Sequence, residues 1–228
     1  MIPGNATAGP NEQHDNYSDN WGGAVLIGNG FKSVIGTFTV PSISVPSGGD
    51  PNAFYSSTAW VGIDGDTCSS AILQTGVDFT IENGQVSYSA WYEWWRQNSI
   101  DFTGISFSAG DSVQLYVQAY STTSGIATIE NLSNGQKVSH QFKNEGSIGE
   151  LCETNAEWIV EDYEINKQLV PLADFGTVTF TDCSASDGQY NYGVSGATLL
   201  QLSSNGQASG QEAEATIDSD SQVTVRYL

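Results

Sequence analysis

Apolar and polar residues alternate with a period of two along most of the chain. From Val113 to Tyr120, for example, every second residue is Val, Leu or Ala, and Gln or Tyr stands between them. Such alternation is typical of β-strands with one buried and one solvent-facing side. The pattern predicts strands near residues 21–28, 34–40, 55–63, 70–80, 85–95, 101–107, 113–120, 125–131, 136–142, 156–165, 175–182, 196–203, 213–218 and 222–228.

Short Gly- and Asn-rich segments separate these predicted strands. Asn83-Gly84 and Asn134-Gly135 are dipeptides that favour tight turns between antiparallel strands. No window of normal helix length has a convincing amphipathic pattern. Many short antiparallel strands without helices predict an all-β fold, a β-sandwich.

The chain is predicted to form one domain with a short extension. Residues 1–19 are polar, contain two prolines and are expected to form a flexible N-terminal arm. From residue 20 to residue 228 neither a linker nor an internal repeat divides the sequence. All-β domains often reach this size undivided, and a chain of this length can bury a substantial core.

The composition is strongly acidic, with 26 Asp and Glu residues against 6 Lys and Arg and a net charge of −20 at pH 7. Such a surface repels nucleic acid and anionic membranes, so neither is an expected partner. With so few cations, few carboxylates can have a pKa that is lowered by ion pairing, so protonation should cost little stability. We therefore expect a protein that is stable in acid and labile above neutral pH.

Several features suggest a secreted protein. No segment is long and apolar enough to cross a membrane, and the sequence does not begin with a signal peptide, so it is expected to be a mature form. Sequons at Asn5, Asn16 and Asn131 would permit glycosylation on a secretory route. We expect an extracellular monomer.

Alternation also indicates which polar side chains could share one face of a sheet. In several predicted strands, carboxylates, an amide and tryptophans fall opposite the apolar core positions. If these strands are neighbours, the shared face describes a substrate groove better than a solvated surface. Its members are Trp60, Asp64, Gln74, Asp78, Trp91, Glu93, Trp95 and Glu157.

Taken singly, each of these residues has a simpler interpretation. A Gln in a strand is usually solvent-facing or bonded across the sheet, and the tryptophans could pack in the core. The sequence Asp64-Gly65-Asp66 is a better candidate for a tight turn than for a calcium site. Their joint placement on one kind of face is what favours a functional site.

The cysteines are interpreted through the same positions. Cys68 precedes Gln74 by six residues and Cys152 precedes Glu157 by five, so a Cys68–Cys152 disulfide would tie the two segments together. Cys183 would then be free. The cysteine spacing matches no zinc pattern, and we expect neither a metal nor another cofactor.

Other catalytic arrangements are poorly supported. The sequence contains no Gly-X-Ser-X-Gly elbow, no His-Glu-X-X-His and no Asp-Thr-Gly or Asp-Ser-Gly motif. Its two histidines are His14, in the predicted arm, and His140. Gly-rich phosphate loops are also absent from the sequence.

Five separated segments, in order, resemble the glutamic peptidases, or eqolisins. The resemblance implies a concanavalin-like sandwich of two curved antiparallel sheets, about seven strands each, with substrate on the concave face. It also implies an acid optimum, insensitivity to pepstatin, a catalytic Gln at Gln74 and a catalytic Glu at Glu157. The segments are residues 20–25, 59–68, 71–76, 90–94 and 155–162.

The same resemblance assigns the groove and marks two departures. Trp95 stands where the family has a Tyr, so the subsite preference of the family cannot be transferred. The chain also lacks the C-terminal Cys that could pair with the one matching Cys183 in relatives. The family's groove residues fall on Trp60, Asp64, Asp78, Trp91 and Glu93.

The implied activity is cleavage of polypeptide substrates without a covalent intermediate. Glu157, ionised at acid pH, would take a proton from a water, and the amide of Gln74 would stabilise the oxyanion. The alternatives are a non-catalytic carbohydrate-binding sandwich and a glycosidase that uses Glu93 and Glu157. Gln74 separates them, because the peptidase in particular needs its amide.

Overall fold

The computed structural model describes residues 16–228, so residues 1–15 of the predicted arm and the sequon at Asn5 lie outside the described residues. Two 3-10 helices occur, at Glu145–Ser147 and Ala208–Gly210. The strands are β1 Asn16–Ser18, β2 Trp21–Ile27, β3 Ser33–Thr39, β4 Phe54–Ile63, β5 Leu73–Glu82, β6 Gln85–Trp94, β7 Ile100–Asp101, β8 Ser112–Ser121, β9 Ser124–Asn131, β10 Gln136–Phe142, β11 Asn155–Glu161, β12 Glu164–Ile165, β13 Gln168–Leu169, β14 Thr177–Ser186, β15 Asn191–Tyr192, β16 Thr198–Ser203, β17 Gln211–Ser219 and β18 Gln222–Tyr227.

Hydrogen bonds join most of these strands in one continuous path. The order is β10-β9-β8-β3-β14-β18-β17-β16-β2-β11-β4-β5-β6-β7, with β1 beside β16 and β15 beside β14. Among the described strand pairs, β1–β16 is parallel and the others are antiparallel. The prediction of an all-β, antiparallel fold is therefore confirmed.

The path of hydrogen-bonded strands folds back on itself to form two layers. The expected arrangement of two separate sheets with about seven strands each therefore differs in detail from the structure. The long strand β14 makes the connection, because it pairs with β18 through Thr177–Phe180 and with β3 from Thr181 onward. Its register shifts between Thr181 and Ser184. Such an irregularity bends a strand and lets it leave one layer for the other.

A large apolar core lies between the layer of β4, β5 and β11 and the layer of β3, β8 and β9. Trp158 of β11 is buried in it, and its Nε1 donates to the backbone oxygen of Ile35 at 2.8 Å. A Cβ atom at Gly36 would lie 2.8 Å from the Trp158 ring. Gly36 therefore provides the space that the tryptophan occupies.

Two predicted strands end differently in the structure. The prediction of a strand over residues 101–107 is wrong, because only Ile100–Asp101 is a strand there. Gly104 has a φ of +87°, which breaks an extended chain, and Phe102, Ile105 and Phe107 pack on the core from a loop. The strand predicted over 156–165 ends at Glu161 and a separate hairpin follows.

The predicted Cys68–Cys152 disulfide is present, and Cys183 is free and buried.

Asn131 is fully buried, and its Nδ2 donates to the Ser106 oxygen at 2.9 Å and to Asp111 Oδ2 at 2.8 Å. The folded protein therefore offers no space for a glycan there. Within residues 16–228, no helix has the length and apolar character needed to cross a membrane.

Candidate active site

The adjacent strands β11, β4, β5 and β6 bring the predicted polar residues into one row. Their register places Glu157 opposite Gly62, Gly62 opposite Gln74, and Gln74 opposite Glu93. Directly opposite residues project on the same face of a sheet. Because neighbouring strands lie about 4.8 Å apart, the backbones of Glu157 and Gln74 flank Gly62 at roughly 10 Å.

Gly62 leaves space between the two side chains. A Cβ atom at this position would lie 2.9 Å from Cζ3 of Trp60 and 3.3 Å from Cβ of Gln74. The Trp60 ring thus reaches over the glycine, and any larger residue would displace the ring or the glutamine. The missing side chain lets Glu157 and Gln74 face a common space.

Gln74 is fully buried and its orientation is set by Glu93. The amide Nε2 of Gln74 donates a hydrogen bond to Oε2 of Glu93. Glu93 is itself 5% exposed, and burial raises its pKa to about 7. Because an amide nitrogen has two N–H donors, one can bond Glu93 while the other points elsewhere.

Glu157 is fully buried, and within the described chain neither of its carboxyl oxygens has a hydrogen-bond partner of good geometry. Burial raises its pKa well above the usual range, and the charges of Asp64 and Asp66 raise it further. The backbone N–H of Asp66 works in the opposite direction, less strongly. This direction favours a neutral Glu157 carboxyl at acid pH, whereas the sequence argument expected an ionised one.

Asp64 turns away from the groove and holds the chain that precedes Glu157. Its φ of +67° ends the alternation of β4, and its side chain is completely buried. Its carboxylate accepts hydrogen bonds from four consecutive backbone N–H groups, those of Cys152, Glu153, Thr154 and Asn155, at 2.7–3.2 Å. Asp64 thus fixes a turn, in a place where the sequence suggested contact with substrate.

The same turn has two further ties to the segment after Asp64. The backbone N–H and the hydroxyl of Thr67 both donate to Oδ1 of Asn155 at 3.0 Å. The disulfide joins Cys68 to Cys152. The 64–68 loop and the start of β11 are therefore locked together, as the cysteine positions suggested.

Trp60 lies in the groove and is held by a buried acid that the sequence argument did not select. Its Nε1 donates to Oε2 of Glu161 at 2.7 Å, and Asn20 Nδ2 donates to Oε1 at 3.3 Å. Burial raises the pKa of Glu161 to about 8. Glu161 lies four residues after Glu157 in the same strand and therefore on the same face, so this signal was available in the sequence.

Asp78 and Trp91 lie beside the row, further along strands β5 and β6. The Nε1 of Trp91 donates to the hydroxyl of Thr58 at 2.9 Å. Burial raises the pKa of Asp78 to about 7, while Thr58 and Trp91 lower it by hydrogen bonding. Both predicted residues therefore stand on the groove floor, with Asp78 uncharged in acid.

A cavity of about 400 Å³ opens at this end of the groove. Asp78, Trp91 and Glu93 form its floor, and residues 97–99 and 163–166 form walls on either side. Trp95 is half-buried, packs on the apolar cluster that contains Trp60, and has the guanidinium of Arg96 5.3 Å from its ring centre. All the predicted groove residues except Asp64 thus lie around one concave face.

Comparison with known proteins identifies the family of this chain. Residues 19–227 match the Peptidase A4 family. The chain is 49% identical to Aspergillopepsin-2 of Aspergillus niger over 94% of its own length and 79% of that protein. It is 48% identical to Scytalidopepsin B of Scytalidium lignicola over 86% of its length and 75% of that protein.

Solved structures give the same result. Scytalido-glutamic peptidase, crystallised with a transition state analog inhibitor, superposes with a TM-score of 0.81 at 46% identity, covering 92% of this chain and 98% of that one. Aspergilloglutamic peptidase from Aspergillus niger superposes with a TM-score of 0.71 at 51% identity, covering 76% and 99%. This chain belongs to the Peptidase A4 family and is a glutamic endopeptidase.

Proposed function

We propose that the protein is a secreted acid endopeptidase in which Glu157 and Gln74 act together on a water molecule and the scissile peptide bond. The observation that carries the proposal is the Glu157–Gly62–Gln74 row. It sets a buried carboxyl, whose oxygens have no good partner in residues 16–228, beside an oriented amide at the floor of a groove. A carboxyl and an amide are sufficient for proton transfer and oxyanion binding.

The protonation state of Glu157 sets the order of the proton transfers. Its raised pKa favours the neutral carboxyl as the starting form at acid pH. A neutral carboxyl has a hydroxyl that donates and a carbonyl oxygen that accepts. Glu157 can therefore give its own proton from one oxygen while it takes a proton from the attacking water on the other, in one concerted movement.

The bonds and protons balance in this scheme. The water oxygen forms a bond to the carbonyl carbon, and one water proton passes to Glu157. The C–N bond breaks, and the proton that Glu157 carried at the start ends on the leaving nitrogen. Glu157 finishes protonated, and no bond between enzyme and substrate forms.

Gln74 stabilises the charge that develops on the carbonyl oxygen. Its N–H that is not bonded to Glu93 is the proposed donor, and Glu93 keeps the amide in the donating orientation. Donors of this type contribute about 3 kcal/mol in comparable enzymes. Glu93 and Asp78 are uncharged at acid pH, so they would not repel the developing negative charge.

The proposed location and working pH have their own support. The disulfide Cys68–Cys152 is typical of proteins that fold in an oxidising compartment. The carboxyls that line the groove carry raised pKa values, so the groove is neutral in acid and gains negative charge towards pH 8. A glycosidase that uses Glu93 and Glu157 is not favoured, because the family and the relatives that match this chain are peptidases.

Hydrolysis of denatured haemoglobin between about pH 2 and pH 5, with pepstatin present, tests this function. Wild type is expected to release peptides, and Glu157→Gln is expected to be folded and inactive. Glu130→Gln is a matched control, because Glu130 lies on β9 in the other layer and pairs with Lys137 at 2.8 Å. Activity retained by Glu157→Gln would place the chemistry elsewhere, and a folded but inactive wild type would favour a binding module.

A further inference from the structure

Residues 162–170 leave the main sheet after β11 and form one wall of the groove. Strands β12 and β13 pair only with each other, with Glu164 opposite Leu169 and Ile165 opposite Gln168. Ile165 is 48% exposed although it lines the cavity. The hairpin therefore stays in place without strand pairing to the sheet below it.

A few bonds at its base fix the hairpin. The backbone N–H of Asp162 donates to the Asn20 oxygen at 2.9 Å, whereas the 3.0 Å bond from the Val170 N–H to the Tyr163 oxygen closes the hairpin on itself. The hydroxyl of Tyr163 donates to Ser56 Oγ at 2.9 Å. Segments with few anchoring hydrogen bonds open at low free-energy cost.

The side chain of Asp162 is buried at this base, and one of its two carboxyl oxygens lacks a partner among the described residues. The residue is 5% exposed, and that oxygen is Oδ1. The ionisable groups that face it are Glu164 in the hairpin, Glu212 on β17 and the phenol of Tyr163. All of them are acids, so none supplies a positive charge to balance an ionised Asp162.

Ionisation of Asp162 therefore opposes the closed position. Burial, Glu212 and Glu164 raise the pKa of Asp162 to about 8. Below that pH the neutral carboxyl tolerates burial. Above that pH a buried carboxylate would lie beside two other carboxylates. Opening of the hairpin would expose the Asp162 carboxylate to water and so lower its free energy.

We propose that Asp162 is a proton-operated latch, whose neutral carboxyl keeps the hairpin 162–170 against the groove and whose ionisation releases it. The hairpin movement itself is independent of the chemistry proposed above, and only its effect on substrate cleavage depends on that function. Release would remove the wall formed by residues 163–166 and so dismantle the cavity above neutral pH.

Limited proteolysis can follow the latch directly, because Lys167 stands in the hairpin turn with a φ of +66°. The protein carries Glu157→Gln to suppress self-cleavage, and a lysine-specific protease is added between about pH 6 and pH 9. Cleavage after Lys167 is measured by mass spectrometry as a ratio to cleavage after exposed Lys143, which cancels the pH dependence of the protease. The ratio should rise roughly tenfold or more as Asp162 loses its proton.

Two variants decide the result, each compared under conditions where far-UV circular dichroism shows a folded protein. Asp162→Asn should give a ratio that stays flat with pH. Glu212→Gln removes one repelling acid from outside the hairpin, which lowers the pKa of Asp162 and should move the rise to lower pH. A flat ratio in the parent, or an equal rise in Asp162→Asn, would overturn the latch, whereas peptidase activity left in the Glu157→Gln parent would overturn only the proposed catalytic role.

Discussion

Asp64 accepts a 2.7 Å hydrogen bond from the backbone N–H of Thr154, which stands three residues before Glu157. Three neighbouring N–H groups bond the same carboxylate, so one buried side chain sets the start of the strand that carries Glu157. This makes Asp64 a positioning residue. Its charge also raises the pKa of Glu157.

Asp64→Asn should therefore affect both stability and the pH dependence of activity. The NH2 group of the new asparagine would face backbone N–H groups that now donate to a carboxylate oxygen. Losing hydrogen bonds to a charged acceptor costs about 2–3 kcal/mol of folding free energy. We expect a lower Tm, a kcat reduced by roughly tenfold to a hundredfold, and an activity profile displaced to lower pH. Asp182→Asn, at an exposed position with a φ of +53°, is the control. An unmoved pH profile would show that Asp64 acts on the fold alone.

Gly62→Ala tests the space between the two proposed catalytic side chains. The new methyl group would press on the Trp60 ring at 2.9 Å and on Gln74 at 3.3 Å. Misplacement by about 1 Å can cost a hundredfold in rate, so kcat should fall by roughly that factor. Steady-state kinetics should show this loss with a Tm change of a few degrees. Gly146→Ala, at an exposed position without a positive φ where a Cβ would lie 3.1 Å from a methyl group of Thr123, controls for the loss of a surface glycine.

The free energy of unfolding should decrease from about pH 4 to about pH 8. Burial raises the pKa of Asp78 and Glu93 to about 7 and that of Glu161 and Asp162 to about 8. Between the unfolded value near 4 and these folded values, the native state binds more protons than the unfolded state, so rising pH favours unfolding.

Calorimetric Tm values across that range provide the measurement. Glu161→Gln should flatten the decline, because it removes one buried acid whose hydrogen bonds an amide can partly replace. Exposed Asp187 and Asp218 have lowered pKa values, from hydrogen bonds with Tyr192 and Thr224, so they oppose the trend only below about pH 4. A Tm that rises steadily towards pH 8 would contradict this prediction.

The protonated starting form that we propose for Glu157 has a kinetic consequence. kcat/KM should fall as the pH rises through the pKa of Glu157, because the ionised carboxyl has no proton to give. A peptide substrate without ionisable side chains isolates the contribution of the enzyme. A profile that instead increases with pH up to neutrality would assign Glu157 the role of a base that starts ionised.

Alternation was enough to place much of this site, because a strand directs every second side chain to the same face. Trp60, Gln74, Glu93 and Glu157 were assigned to one face from the sequence, and the register sets three of them in a single row. Strand order could not be derived from alternation, since hydrogen-bonded neighbours such as β11 and β4 are distant in sequence.

Alternation gave wrong predictions at positions where the chain leaves the strand conformation. Asp64 has a positive φ, so its side chain turns to the 152–155 backbone although alternation directs it to the groove. Residues 101–107 have strand-like composition, yet Gly104 bends the chain there. The raised pKa of Glu157 could not be predicted from the sequence either, because burial depends on how the layers close.

The joint action of Glu157 and Gln74 is tested most directly by kcat/KM at acid pH for wild type, Glu157→Gln, Gln74→Ala and the double variant. Residues that act in one step are strongly non-additive. The double variant should therefore be no slower than the worse single variant, with Tm values confirming that all four proteins are folded. Losses that multiply in the double variant would contradict a single catalytic unit built across Gly62.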